Sequence, residues 1–213
     1  MADLTAPITD YDSLKLAVAG FLNRDDLTSS IPAFISLAEA QISRRDIRHW
    51  RMQNRAETSS DSRYIDVPPT WIETMRLVAQ GDPDRPLEFV GRWDMADMRR
   101  RMGEAPAPPM YYSHIEGTFE VFPVPGDSVT YELQYLQEIP KLSDANTSNW
   151  LLDEAPDVYL YGALIHTAPY LQDDQRTQTW ASLYSAGVAA VNRTSKRAMA
   201  SGSGKRKKIR GLR

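Results

Sequence analysis

Three histidines are the residues of this 213-residue chain best suited to hold a metal or relay a proton: His49, His114 and His166. They lie in three unlike segments, none with a second His, Asp or Glu at ligand spacing on the same helix face, so neither a metal nor a cofactor is expected. His166, inside an apolar run, reads as a hydrogen-bonded interior or interface residue, whereas His49 and His114 read as solvent-facing. There is no cysteine, which excludes disulfides, thiolate metal sites and thiol nucleophiles. A hydroxyl nucleophile has no support either, because no G-x-S-x-G elbow occurs and no Ser adjoins a His in a recognisable motif. The eleven glycines are dispersed, and their one cluster, Gly202 and Gly204, follows the last helical pattern instead of opening a helix after a strand. The acidic pairs Asp25-Asp26, Asp153-Glu154 and Asp173-Asp174 have the residue types of acid/base couples, yet each falls at a helix start or turn, where capping accounts for it. Arg99-Arg100-Arg101 with Met95, Met98 and Met102 joins charge to adaptable apolar surface, suited to partner contact or to packing on an adjoining sheet. No catalytic residue is expected.

Composition narrows the class. The hydrophobic share of 42% and charged share of 25% are those of a globular chain, and no apolar run approaches the roughly 20 residues of a membrane span. The start, Met1-Ala2-Asp3-Leu4-Thr5, lacks the basic and apolar regions of a secretory signal. The net charge of −3 conceals an asymmetry: nine basic residues and no acidic one lie between Arg193 and Arg213, leaving 16 basic and 28 acidic residues before them, net −12. The body is acidic and the end is basic.

The elements that must position these residues follow from periodicity and punctuation. Thr9-Asp10-Tyr11-Asp12 caps a first helix with Leu14, Ala17, Val18, Phe21 and Leu22 at helical spacing. Ser29 or Ser30 with Pro32 starts a second, whose stripe is Ile31, Phe34, Ile35, Ala38 and Ile42 and which continues as a charged rod through Arg44–Arg51, facing water or a neighbouring subunit. From Thr58 the pattern turns to short strands around a helical insert, Trp93 to Met102. The hairpin signal Glu116-Gly117 and the alternation of Val129, Tyr131, Leu133 and Tyr135 predict an antiparallel meander with one buried face. Asn149 to Ile165 reads as a central core helix with Pro156 in its first turn and Val158, Tyr161, Leu164, Ile165 and Ala168 on one stripe. A last helix places Trp180, Leu183, Tyr184, Gly187, Val188 and Val191 on one face, with small residues around it that suit packing within the subunit or between subunits.

The fold class predicted is α+β: a helical framework of two N-terminal and two long C-terminal helices, an inserted antiparallel β-sheet, and an extended basic C-terminal tail. The expected segments are 1–57 for the N-terminal helices, 58–141 for the sheet lobe with its short helix, 142–200 for the C-terminal helices and 201–213 for the tail. Trp150, Tyr161, Leu164, Trp180 and Tyr184 are the expected core and assembly residues, with Trp150 and Tyr161 substantially buried. The tail, with a Gly/Ser joint at 201–204 and almost no apolar content, gains order only from a partner.

The block Asn149-Trp150-Leu151-Leu152, then Pro156-Asp157-Val158-Tyr159-Leu160-Tyr161-Gly162-Ala163-Leu164, then Ala168-Pro169-Tyr170-Leu171, with an acidic turn and a helix carrying a Trp and a Tyr behind it, resembles the adaptor subunits of tailed-phage head-to-tail connectors. The N-terminal half agrees: Tyr11-x-x-Leu14 leading to Phe21–Leu27, then Ile31–Ile35 with Ala38-Glu39, is similar to the first helix pair of that family. Together these blocks cover about half of the chain. None of the matching residues does chemistry, so the likeness is one of structural pattern. It implies a structural virion protein, assembled in the host cytoplasm: one subunit of a homo-oligomeric, dodecameric ring docked beneath the portal protein, extending the DNA channel and receiving tail or nozzle proteins. It further implies that the tail residues Lys205, Arg206, Lys207, Lys208, Ile209, Arg210, Leu212 and Arg213 hold the portal.

An acidic body suits a channel wall if its carboxylates face the lumen, because negative surfaces do not grip passing phosphate. A head-closure or tail-terminator ring is the alternative within this class. A nucleic-acid-binding module acting through the basic tail is a second class, opposed by the −12 charge of the body. An enzyme is the third, and it has no constellation behind it.

Overall fold

A computed structural model describes residues 7–23, 26–81, 83–170 and 175–201. In chain order its α-helices are α1 (Tyr11–Leu22), α2 (Ile31–Gln41), α3 (Arg92–Met102), α4 (Trp150–Glu154), α5 (Pro156–Ile165) and α6 (Arg176–Ser201). The strands are β1 (Gln53–Ser60), β2 (Tyr64–Asp66), β3 (Trp71–Ala79), β4 (Arg85–Pro86), β5 (Glu88–Phe89), β6 (Tyr111–Ile115), β7 (Thr118–Phe122) and β8 (Val129–Gln137), all between α2 and α4 in sequence. The architecture is α+β, and it divides into a helical unit, built from the chain up to Trp50 and from Ile139 onward, and a sheet unit, Arg51–Glu138.

In the helical unit α1 begins at a capping box: Ser13 N–H donates to Asp10 Oδ1 at 2.8 Å, and Asp10 N–H donates to Ser13 Oγ at 2.9 Å. Leu14, Val18 and Leu22 are buried along one line, and Asn23, at φ 52°, closes the helix in the left-handed region. On α2 the whole expected stripe, Ile31, Phe34, Ile35, Ala38 and Ile42, is buried. The charged rod beyond it does not form. A wide turn over Ile42–Asp46 ends the helix, Ile47 is extended and fully buried, and a single 3-10 turn, Trp50–Met52, leads into β1. Arg48 accounts for the stop, because its guanidinium folds back and donates to the carbonyls of Ser43 and Arg44 that a continuing helix would have used, and to that of Ile47.

The single helix expected over 149–165 is two. Ala155 sits at φ −143°, ψ 64°, because the residue before a proline is pushed out of the α region, and the break separates α4 from α5. Asn149, not an aspartate, caps the first of them. Asp153 accepts instead from the Ser148 hydroxyl at 2.7 Å. α5 packs against α1, α2 and α6 and is apolar around much of its circumference, so Val158, Tyr159, Leu160, Gly162, Ala163 and Leu164 are all buried. Tyr161 and Ile165 are only half-buried, since the covered sector lies one residue away from the predicted stripe.

α6 runs 26 residues, roughly 39 Å at the α-helical rise. Trp180, Tyr184, Gly187 and Ser195 are buried along it, whereas Leu183 is exposed. Arg193, Lys196 and Arg197, the first cations of the basic end, are helical and exposed. No helix of the described residues is long and apolar enough to cross a membrane.

The sheet unit holds two four-stranded sheets where one meander was predicted, in the orders β1-β8-β3-β4 and β2-β7-β6-β5. All pairings are antiparallel except β5 with β6. Tyr131, Leu133 and Tyr135 alternate inward from β8 as predicted and meet Ile65, Phe119 and Val121 of the second sheet in one core. Glu116 at φ 34° and Gly117 at φ 72° form the β6–β7 turn, a pair of positive-φ residues that the twist of a tight hairpin demands. β1 was missed in sequence because Gln53–Ser60 is almost wholly polar. Its partner β8 makes it a strand.

Candidate assembly surfaces

The helical unit gathers four of the five expected core and assembly residues around one crossing of α2, α5 and α6. Glycine makes the approach possible: a Cβ on Gly162 would stand 3.1 Å from the Tyr184 ring and 3.2 Å from Ala38 Cβ, and one on Gly187 would stand 3.0 Å from Val158 Cγ2. Trp180 and Leu164 are buried in this layer, and Arg176 lies 5.2 Å over the Trp180 ring. Tyr184 donates its hydroxyl to Asp46 Oδ2, and Tyr161 sits at the rim, edge-on to Phe21 with ring centroids 6.5 Å apart. Trp150 lies apart from them. Half-buried, it stacks on His49 with centroids 4.7 Å apart and the rings 22° from parallel.

That stack corrects the reading of His49, which is 3% exposed and not solvent-facing. Helix α4, held in place by the Asn149 cap, brings the Trp150 ring over it, and no local pattern around His49 announces this. His114 is likewise half-buried, 4.6 Å from the Trp71 ring, with its Nε2 buried and unbonded. His166 is half-buried, its Nε2 has no hydrogen-bond partner among the described residues, and burial pushes its pKa down. Among the described residues no group of three or more His, Asp or Glu is placed to hold a metal ion.

Two polar clusters escaped sequence reading. The first holds the loop before α4. Asn149 Oδ1 accepts the N–H groups of Leu151 and Leu152, while its Nδ2 donates to the Pro140 carbonyl and to Tyr159 Oη, each at 2.7 Å. Buried Glu39 accepts the Leu142 N–H at 2.7 Å, and burial raises its pKa, partly offset by that hydrogen bond. The second cluster joins the strand to the short helix of the sheet unit, where Arg99 of α3 pairs with Glu120 of β7, a carboxylate 2% exposed. The Asn149 cap had a local signal, an Asn directly before the apolar run Trp150-Leu151-Leu152, whereas the Arg99–Glu120 pair, 21 residues apart, carried none. Met95 packs fully buried beneath α3 and Met102 is exposed, so the methionines divide between the two roles weighed for them.

The surface offers clefts and projecting side chains but no reactive constellation. A cleft of about 350 Å³ in the helical unit is lined by His49, Glu154, Asp157, Gly187 and Thr194, and one of about 410 Å³ in the sheet unit by Pro106, Pro108, Pro109 and Pro125 with Arg85 and Asp127. Trp93 of α3 is 89% exposed. The tail residues Lys205, Arg206, Lys207, Lys208, Ile209, Arg210, Leu212 and Arg213 lie outside the described residues. The SU10 adaptor protein family matches residues 9–207, from the α1 cap through α6 and beyond it. The chain belongs to the SU10 adaptor protein family. No curated protein matches it. Membership in this adaptor family carries a structural role in the phage virion and association with phage portal and tail proteins, and it implies a protein that is not an enzyme.

Proposed function

We propose that this SU10-family adaptor is the repeating subunit of a ring, dodecameric by the family likeness, that docks beneath the portal, extends the DNA channel and provides the attachment site for tail or nozzle proteins. The observation that carries the reading is the family match over residues 9–207, which takes in both structural units. The charge layout supports it: a body of net −12 before Arg193 lets DNA pass without being gripped, and the basic end supplies cations for an acidic partner. In this reading Lys205, Arg206, Lys207, Lys208, Arg210 and Arg213 meet portal carboxylates, with Ile209 and Leu212 as apolar anchors. Each exposed ion pair contributes only about 0–1 kcal/mol, so the clasp works by several acting together.

The experiment is reconstitution of the purified chain with portal rings, imaged by negative-stain electron microscopy. A ring of density added to the portal is the expected result, and a chain that leaves the portal bare at equimolar and excess ratios overturns the assignment. Truncation after Ala200 is expected to lower portal affinity and to leave DNA retention by the isolated protein unchanged. The opposite outcome assigns the tail to DNA.

A further inference from the structure

Three of the four edge strands in the sheet unit are blunted. β2 has three residues, β4 and β5 have two each, and β4 ends in Pro86. β1 is the exception: eight residues long, free of proline, at the end of its sheet, with every residue exposed except half-buried Ala56 and Ser60. Long unprotected edges template the addition of another strand. The polar character of Gln53–Ser60 removes the apolar anchors that would favour an unrelated peptide, so charge and register decide what pairs here.

The backbone direction along β1 follows from its neighbours. Gln80 N–H donates to the Thr130 carbonyl at 2.8 Å, which turns Thr130 of β8 toward β3. Antiparallel alternation then turns Tyr131, Leu133 and Tyr135 toward β1, where they stand opposite Thr58, Ala56 and Asn54 in an unshifted register. Arg55, Glu57 and Ser59 therefore present their N–H and C=O groups outward. The Arg55 N–H agrees with this, since it donates to the Asn54 side chain at 2.8 Å and not to a neighbouring strand.

We propose that β1 is a self-association edge that pairs antiparallel with β1 of a second copy of this chain about a two-fold axis at Ala56. Outward-facing positions are odd-numbered, so a two-fold axis must fall on a residue, and the registers that overlap most of β1, seven of its eight residues, centre on Ala56 or Glu57. Centring on Arg55 places the two Arg55 side chains opposite each other, and centring on Glu57 does the same for two carboxylates. Centring on Ala56 sets Arg55 opposite Glu57 of the second copy twice over, and like charges directly opposite are disfavoured while opposite charges are favoured. Overlap and charge together select the Ala56 register. The contact is isologous, whereas neighbours in a closed ring meet heterologously, so it describes the subunit before ring placement and stands apart from the portal-docking assignment.

The test uses the full chain in a concentration series by sedimentation velocity, where the expected species has twice the 24.1 kDa chain mass. Arg55→Glu and Glu57→Arg, each creating two like-charge pairs, are expected to weaken association by about tenfold or more, and the double swap to restore it. Because the chain has no cysteine, Ala56→Cys introduces a unique thiol on the proposed axis, and mild oxidation is expected to give a disulfide-linked dimer. Circular dichroism of each variant confirms that it is folded. A monomer at all concentrations, self-association indifferent to the single swaps, or no cross-link through Cys at position 56 overturns the proposal.

Discussion

Tyr184 on α6 donates its hydroxyl to Asp46 Oδ2 at 2.7 Å, and the same carboxylate oxygen accepts the Gln41 side-chain amide at 2.8 Å. This one oxygen joins the end of α2 to the middle of α6, 138 residues later in the chain. Asn192 adds to the tie by donating to the Asp46 carbonyl and accepting the Arg48 N–H, and Ser195 by accepting the Trp50 N–H. The segment leaving α2 is therefore bound along α6 by polar contacts rather than by further helix.

Replacing Tyr184 by Phe keeps the ring against Gly162 and removes only the hydroxyl. Asp46 retains Gln41, so the expected loss is about 1–2 kcal/mol, that of one hydrogen bond to a charged group. Urea denaturation checks it, and an unchanged midpoint removes this bond from the account of α6 docking.

Alkaline pH should weaken the fold through three buried tyrosines. Burial pushes Tyr131 up to about 12; burial also raises Tyr159, and burial together with the Asp46 hydrogen bond raises Tyr184. In the unfolded chain each loses its proton near pH 10, whereas the folded chain holds it. The stability is intact below about pH 10 and falls as pH rises, by about 1.4 kcal/mol per unit for each tyrosine, until the folded pKa is passed. Denaturation midpoints between pH 9 and pH 12 measure the slope, and phenolate absorbance should show these three titrating later than a free tyrosine, with Tyr11 and Tyr112 also raised by burial.

Arg99→Ala should cost about 3 kcal/mol, because it leaves the Glu120 carboxylate buried without its cation. Arg99→Met combined with Glu120→Leu should recover most of that loss. If the double variant is no more stable than Arg99→Ala, packing around α3 rather than the stranded charge carries the effect.

Asn149→Ala removes a helix cap together with the donor to Pro140 and Tyr159, and about 2–4 kcal/mol is expected. Asn149→Asp keeps the cap oxygen and should lose less. Equal melting temperatures for the two variants would assign the whole effect to the donated bonds.

Local patterns determined a good deal of this protein by themselves. The Asp10 cap, the α2 stripe, the Glu116-Gly117 hairpin and the inward alternation of Tyr131, Leu133 and Tyr135 are each encoded within a few residues, where sterics and periodicity suffice. The order of elements around the family blocks was legible for the same reason. Tertiary structure decided whatever depends on partners distant in sequence. It made β1 a strand because β8 lies beside it, and it divided the predicted meander into two sheets with one core. The face of α5 was likewise beyond local reading, because a helix apolar on most sides has no stripe to choose, and α1, α2 and α6 select Tyr159 over Tyr161 for burial. His49 was misjudged for a related reason: a lone histidine beside charged neighbours looks solvated until α4, from 101 residues farther along, lays Trp150 against it. Burial is a property of what covers a residue, and the covering segments here arrive from the other end of the chain.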